Sequence, residues 1–198
     1  SGRVSSKDIL AVVREDTLLV SVMHANNETG VLQPIGEIAD GLQGHTAYFH
    51  VDAVQGFGKE LEGPRNARID MLSASAHKLF GPKGVGALIV KRRGYERPPL
   101  KPLIYGGGQE RGLRPGTLPV PLIAGFGTAA AIALRDHLPR KNACSAERKK
   151  ALSAFSALDP IVIGDPSFVM DHVLAIGFKG VDSEALMLAL RDKVSISN

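Results

Sequence analysis

The sequence predicts an α/β fold, with a sheet of strands drawn from separate parts of the chain and helices packed on its faces. Three observations carry this. Short apolar runs alternate with helical stretches through the first half of the chain. The first of those runs, Thr17-Leu-Leu-Val-Ser-Val-Met23, is continuous rather than alternating, as expected of a strand buried on both faces. Polar and reactive residues fall directly after the runs, where sheets of this class hold their ligands.

Taken in order, Ser5 or Ser6 is placed to cap a short helix over Lys7–Val13. The Thr17–Met23 strand leads into polar His24-Ala-Asn-Asn-Glu-Thr-Gly30. Pro34 opens a helix over Ile35–Leu42, with Glu37 in its first turn, where a negative charge suits the helix dipole. Ala47–Val51 reads as the next strand, followed by Asp52-Ala-Val-Gln55. Ile69–Ala74 reads as a strand feeding the turn Ser75-Ala-His-Lys-Leu-Phe-Gly-Pro-Lys-Gly84, and Ala87–Val90 as the strand that leaves it. Residues 91–117 are loop-like and rich in Gly, Pro and Arg. Pro121–His137 is alanine-rich and helical, and Arg140–Lys150 is a charged linker or solvated helix start. A second, smaller unit begins here, with strands at Ile161–Ile163 and Val173–Phe178, a helix from Asp182 or Ser183 to Arg191, and a last strand at Val194–Ser197.

The 198 residues suffice for one domain or two small ones, and a hydrophobic share of 44% is enough for an ordinary core. A net charge of +4 without a dense basic block interleaved with aromatics argues against nucleic acid and suits small anionic ligands. Cys144 is the single cysteine, which excludes a disulfide framework and points to a reducing, cytoplasmic setting. No apolar run approaches the length of a membrane span, and the first residues carry no signal-peptide pattern.

The chemistry concentrates where strands end. Asn27, Asp52, Gln55, His77 and Lys78 each follow an apolar run, so the fold itself gathers them at one edge. A lysine at the mouth of a strand can lose its proton and form an imine with an aldehyde, and the small residues around Lys78 leave room for a planar ligand. Taken singly, each residue has an ordinary alternative. Asp52 could cap a turn, Gln55 and Asn27 could be loop polars, Ser75 could be a packing residue, and His77 could be structural. His24, His50 and His77 raise the thought of zinc, but no His-x-x-x-His pair or cysteine partner accompanies them, so no metal is expected. The glycine-rich loop Gly106–Thr117 matches neither common phosphate-loop pattern, although Arg111 and Arg114 lie within it.

Together, His24–Gly30, His50-Val-Asp-Ala-Val-Gln55, Ser75-Ala-His-Lys78 with Gly81-Pro-Lys-Gly84, and Gly106-Gly-Gly-Gln-Glu-Arg111 with Arg114-Pro-Gly-Thr117 resemble the cysteine desulfurase and selenocysteine lyase group of fold-type I pyridoxal-phosphate enzymes. The resemblance is strongest from about Leu19 to Gly127. It implies a three-layer large domain over 1–140 and part of a smaller α+β domain over 141–198. It also implies pyridoxal 5′-phosphate as cofactor, held covalently by Lys78, which would also shuttle protons. Asp52 would pair with the ring nitrogen and Gln55 with the phenolic oxygen, while Asn27 would sit beside the ring. Ser75 and His77 would hold the phosphate, and Thr117 would reach the phosphate of a second copy, implying a homodimer.

The implied activity is cysteine desulfuration: L-cysteine becomes L-alanine, and its sulfur passes through an enzyme persulfide to an acceptor protein. The same motifs suit a selenocysteine lyase, and a non-catalytic scaffold that keeps the fold is the reading from another class. A nucleic-acid module using Arg92, Arg93, Arg111 and Arg114 ranks last. Family members are roughly twice as long, and their nucleophilic-cysteine loop, substrate-carboxylate arginine and ring-stacking histidine have no counterpart here. Cys144 lacks the context of that nucleophile and reads as an incidental thiol. The expectation is that these 198 residues alone release no sulfur from cysteine.

Overall fold

The computed structural model describes residues 1–197. Helix α1 (Ser6–Val12) starts where Ser5 caps it, the Ser5 hydroxyl accepting from the Asp8 N–H. Strand β1 (Leu19–Met23) follows, then α2 (Ile35–Gly41), β2 (Tyr48–Asp52), β3 (Met71–Ser75) and β4 (Gly86–Val90). The four strands form one sheet in chain order. β1, β2 and β3 run parallel, and β4 returns antiparallel to β3. α3 (Val120–Arg135) and α4 (His137–Phe155) come next. Strands β5 (Ile161–Val162) and β6 (Ile176–Gly177) pair antiparallel, and α5 (Ser183–Leu190) is capped by the Asp182 carboxylate.

The core explains the parallel sheet. Val20, Phe49, Val51, Leu72 and Ala74 point to one face and meet Ile35, Ile38, Ala39 and Leu42 around α2. Ile9 and Leu10 of α1 and Phe126 of α3 pack against the same cluster. Phe49, Ile35, Ile38 and Leu42 are among the largest side chains with almost no exposure. At roughly 1.5–3 kcal/mol for each such side chain, this cluster is what fixes the strand register.

Two expectations need correction. β1 is not buried on both faces: Leu19 and Met23 stay 50% and 44% exposed, because among the described residues the helices cover the face that carries Val20. The register sets Leu19, Ser21 and Met23 on the opposite face with Tyr48, His50 and Asp52. Val194–Ser197 forms no strand and pairs with no other strand among the described residues, and Asn198 lies outside them. The charged stretch around Arg140–Lys150 is the middle of a 19-residue helix with no buried residue. Of the two expectations for it, linker or solvated helix start, the stretch is helical.

The C-terminal segment folds back onto the first half. Leu32 N–H donates to Phe168 O at 2.7 Å and Met170 N–H to Gly30 O at 2.9 Å, and Met170 is fully buried. Gly30 allows this approach: its φ is +73°, and a Cβ there would meet Val173 Cβ at 2.7 Å.

The amino-terminal ends of β2 and β3 are tied by an ionic knot. Asp70 is 3% exposed and accepts from Arg68 Nη1, Arg93 Nε and the Phe49 N–H, each at 2.7 Å. The two guanidinium groups spend their other N–H groups on backbone carbonyls, Arg68 on Leu42 and Ala47, Arg93 on Thr46 and Ala47. Burial works against the Asp70 charge, but the bonds from Arg93, Phe49 and Arg68 outweigh it and hold the carboxyl below its ordinary range. Arg93 is therefore a structural residue and is not free to bind nucleic acid.

Candidate active site

The opposite, carboxyl-terminal edge of the sheet is built differently. β2 ends on Asp52 and β3 on Ser75, and the register sets Asp52 beside Ser73 in adjacent parallel strands. A single turn of 3-10 helix, Ala76–Leu79, follows β3 and carries His77 and Lys78. This turn is pinned rather than loose. Ala76 and Leu79 are buried, and Leu79 packs with Ala129 and Ala133 of α3. Gly81 N–H closes the turn on Ala76 O at 3.0 Å. Phe80 leaves it in the left-handed region, with φ 61°.

Asp52 is exposed, and its Oδ1 accepts from the Val54 N–H at 3.0 Å. Lys78 is half-buried. Neither side chain takes part in a salt bridge among the described residues, so an acid and an amine stand unpaired on one edge. Ser75 Oγ and His77 Nδ1 share a hydrogen bond of 2.8 Å. Gln55 is half-buried in the turn after Asp52. The edge is floored by backbone: a Cβ on Gly86, which pairs with Ser75, would sit 2.8 Å from Ala74 O.

The loop after β1 separates two adjacent asparagines by role. Asn26 Oδ1 accepts from the Glu28 and Thr29 N–H groups, both at 2.9 Å, and so shapes the turn. Asn27 is left exposed beside it. His24, at the head of this loop, is 4% exposed, and its Nδ1 has no partner. Its N–H donates to Asp52 O at 2.7 Å, which ties the loop to the end of β2. Burial pushes its imidazole down to about 4, so it is neutral at physiological pH.

The structure thus gathers Asn27, Asp52, Gln55, Ser75, His77 and Lys78 along one sheet edge. Thr117 lies exposed in the loop beyond Gln109–Gly112 and makes no hydrogen bond to these residues. One feature escaped the sequence reading. His50 bridges three strands, with Nδ1 2.8 Å from Ser21 Oγ and Nε2 2.8 Å from Ser73 Oγ. Its imidazole is lowered by burial, with Asp52 pulling the other way. The signal was present as period-two alternation in His50-Val-Asp52, which sets both side chains on one face.

A mixed sheet with an amine and a carboxylate free at the carboxyl ends of neighbouring parallel strands defines the class: an α/β protein whose ligand site is this edge. The comparisons with known proteins narrow it. Residues 1–197 match the aminotransferase class-V family, whose members depend on pyridoxal phosphate. The mitochondrial cysteine desulfurase of Saccharomyces cerevisiae is 42% identical over 197 residues, covering 96% of this chain and 38% of that protein. The cysteine desulfurase IscS of an Anaeromyxobacter species is 43% identical over 199 residues, covering 100% of this chain and 48% of that protein. Among solved structures, DndA from Streptomyces lividans superposes with a TM-score of 0.89 at 48% identity, covering 97% of this chain and 54% of that one. A structure of SspA in complex with cysteine gives 0.72 at 32% identity, covering 98% and 52%. The chain belongs to the aminotransferase class-V family and has the fold-type I architecture of its NifS-like members. It spans between about two fifths and just over half of the length of these relatives.

Proposed function

We propose that this chain carries the lysine-bearing half of the active site of a pyridoxal-phosphate-dependent cysteine desulfurase. The observation that carries the reading is the pairing of Asp52 and the Lys78 turn on neighbouring parallel strands, both side chains free of ion pairs among the described residues. The residues present fit the cofactor. The edge offers an amine, a carboxylate, a hydroxyl–imidazole pair and an amide over a floor that only glycine can form.

When bound, the cofactor supplies an aldehyde carbon for amines and a ring that withdraws electrons. The protein's part is positioning and proton handling. Lys78 Nζ would hold the cofactor and would be the group to move a proton at the substrate's α-carbon. The Asp52 carboxylate would accept a hydrogen bond from the protonated ring nitrogen, and its Oδ1 already accepts one from the Val54 N–H. Ser75 and His77 would hold the phosphate, Gln55 would bond the ring's phenolic oxygen, and Asn27 would sit beside it. The Ser21–His50–Ser73 bridge ties together the three strands that carry this edge.

The substrate on this reading is L-cysteine. The SspA neighbour was solved with cysteine, and the relatives bear cysteine desulfurase names, which favours sulfur over selenium. An acceptor protein for the sulfur, a homodimer in which Thr117 serves the other copy's site, a cytoplasmic setting, and a division into a large unit over 1–140 and a small one over 141–198 complete the proposal.

The test is direct. The purified chain is incubated with pyridoxal phosphate, reduced with borohydride and mapped by mass spectrometry. A stable adduct on the peptide bearing Lys78, absent from Lys78→Ala and weakened in Asp52→Asn, is the expected result. An adduct spread over surface lysines, unchanged by either substitution, would sink the reading.

A further inference from the structure

The edge that carries the Asp70 knot also holds a recess that the proposed chemistry leaves unused. It encloses about 420 Å³ between the turn after α2, the segment leading into β3 and the residues that leave β4. That size lies within the range of about 300–1,000 Å³ usual for small-molecule pockets. Gly44, His45 and Thr46 line one side, and Lys91, Arg92 and Arg93 the other. Arg68 and Asp70, both buried, belong to the same lining.

The lining holds four cations, Arg68, Lys91, Arg92 and Arg93, and one carboxylate. That carboxylate is Asp70, whose oxygens are already taken by Arg68, Arg93 and the Phe49 N–H. Three positive charges in excess therefore border one cavity. Hydrogen bonds hold most of them there. The Lys91 N–H donates to Asp70 O at 2.7 Å, and its ammonium gives one of its three donors to Ala67 O. Arg92 is exposed and makes no ion pair or side-chain hydrogen bond among the described residues. The facing turn has spent its acceptors. The carbonyls of His45 and Thr46 accept from Arg68 Nη2 at 3.2 Å and Arg93 Nη1 at 2.9 Å. His45 Nδ1 accepts from the Ala47 N–H at 3.0 Å, which leaves its other ring nitrogen as a donor. The Thr46 hydroxyl has no partner among the described residues. What remains for a ligand is donors and positive charge.

The geometry points to a second binding site, one that takes a compact polyanion of the phosphate type. Arg92 meets the phosphate oxygens through its planar fork and Lys91 as a point charge. Arg68 and Arg93 supply field rather than contacts, because the knot has committed their N–H groups. His45 and Thr46 donate from the opposite wall. A chain of two or three phosphates matches the surplus, whereas a single phosphate leaves part of it uncompensated. The lining has no Phe, Tyr or Trp on which a base could stack, which favours a phosphate chain over single-stranded nucleic acid. The recess lies at the other end of the sheet from Asp52 and Lys78, so the inference stands whether or not the chain carries a cofactor.

The unmodified chain is titrated calorimetrically with tripolyphosphate and with orthophosphate, at low salt and without divalent ions. Tripolyphosphate should bind more tightly by about tenfold or more, and should weaken steeply as salt is added. Arg92→Gln and Lys91→Gln should each weaken it by about tenfold. Lys149→Gln makes the same change in net charge on exposed α4 and should leave binding unaltered. A footprint needs no substitution and stays decisive if a variant fails to fold: tripolyphosphate should slow acetylation of Lys91 but not of Lys149, read by mass spectrometry. Adenosine triphosphate separates two sources of the same group. No gain over tripolyphosphate assigns the free phosphate chain, and tighter binding at the same residues assigns a phosphate ester. Binding that falls equally in Lys149→Gln, or an unprotected Lys91, overturns the proposal. So does binding lost in His77→Ala but kept in Arg92→Gln, which would move the anion to the Lys78 edge. A single-stranded oligonucleotide that binds these residues more tightly than tripolyphosphate would overturn it as well.

Discussion

The two edges of the central sheet solve opposite problems with the same kinds of residue. At the amino-terminal edge, Asp70 meets two arginines, and every group is bonded to another charge or to backbone. At the carboxyl-terminal edge, an aspartate and a lysine stand on neighbouring strands without an ion pair among the described residues. One edge spends its charges on holding strands together, and the other keeps them for a ligand. Carboxylates alone do not reveal the difference. What separates them is whether the surrounding backbone and guanidinium groups use up their bonding capacity.

The largest way to break that contrast is Asp70→Ala. It leaves Arg68 buried without its counter-charge, and a loss of about 3–5 kcal/mol is expected in urea denaturation. A loss under about 1 kcal/mol would show the knot to be ornamental.

Acidification probes the buried histidine at the site edge. His24 has its folded value at about 4, below the ordinary histidine value of 6.5, so the unfolded chain binds more protons between those values. Stability is then full above pH 6.5 and falls as pH drops toward about 4, by on the order of 3 kcal/mol. His172, half-buried and also lowered, adds a smaller, solvent-screened share in the same direction. Urea midpoints measured from pH 7 downward should show this slope, and His24→Gln should flatten it.

A third change tests packing next to the site. A Cβ on Gly56 would sit 2.1 Å from His24 Nδ1, so Gly56→Ala forces the ring aside. A cost of about 1–3 kcal/mol in thermal or urea unfolding is expected.

The smallest expected effect is the most telling. Lys78→Ala should change stability by no more than about 0.5 kcal/mol while removing the borohydride-fixed adduct altogether. A large loss of stability there would mean that Lys78 belongs with Asp70 as a structural charge.

Much of this was legible in the sequence because α/β folds write their ligand edge at strand ends. The positions of Asp52 and Lys78 follow from two apolar runs and the turns after them. Ser5 and Asp182 announced their helices through local capping, which needs no tertiary information. The Asp70 knot was not legible, since Arg93 is 23 residues away in what reads as a loop and the pairing exists only once β4 folds back on β3. The exposure of β1 was missed for a related reason: an apolar run says that a strand could be covered, not which face is.

Phe80 deserves a last consequence. It holds a left-handed backbone with its ring 86% exposed, an arrangement that costs an ordinary residue about 1–2 kcal/mol and yields little burial in return. Glycine would relax the same turn at once. A breeding programme rewarding nothing but heat tolerance would discard this aromatic early, and the survivors would be hardier proteins whose Arg140 had lost the ring beside it.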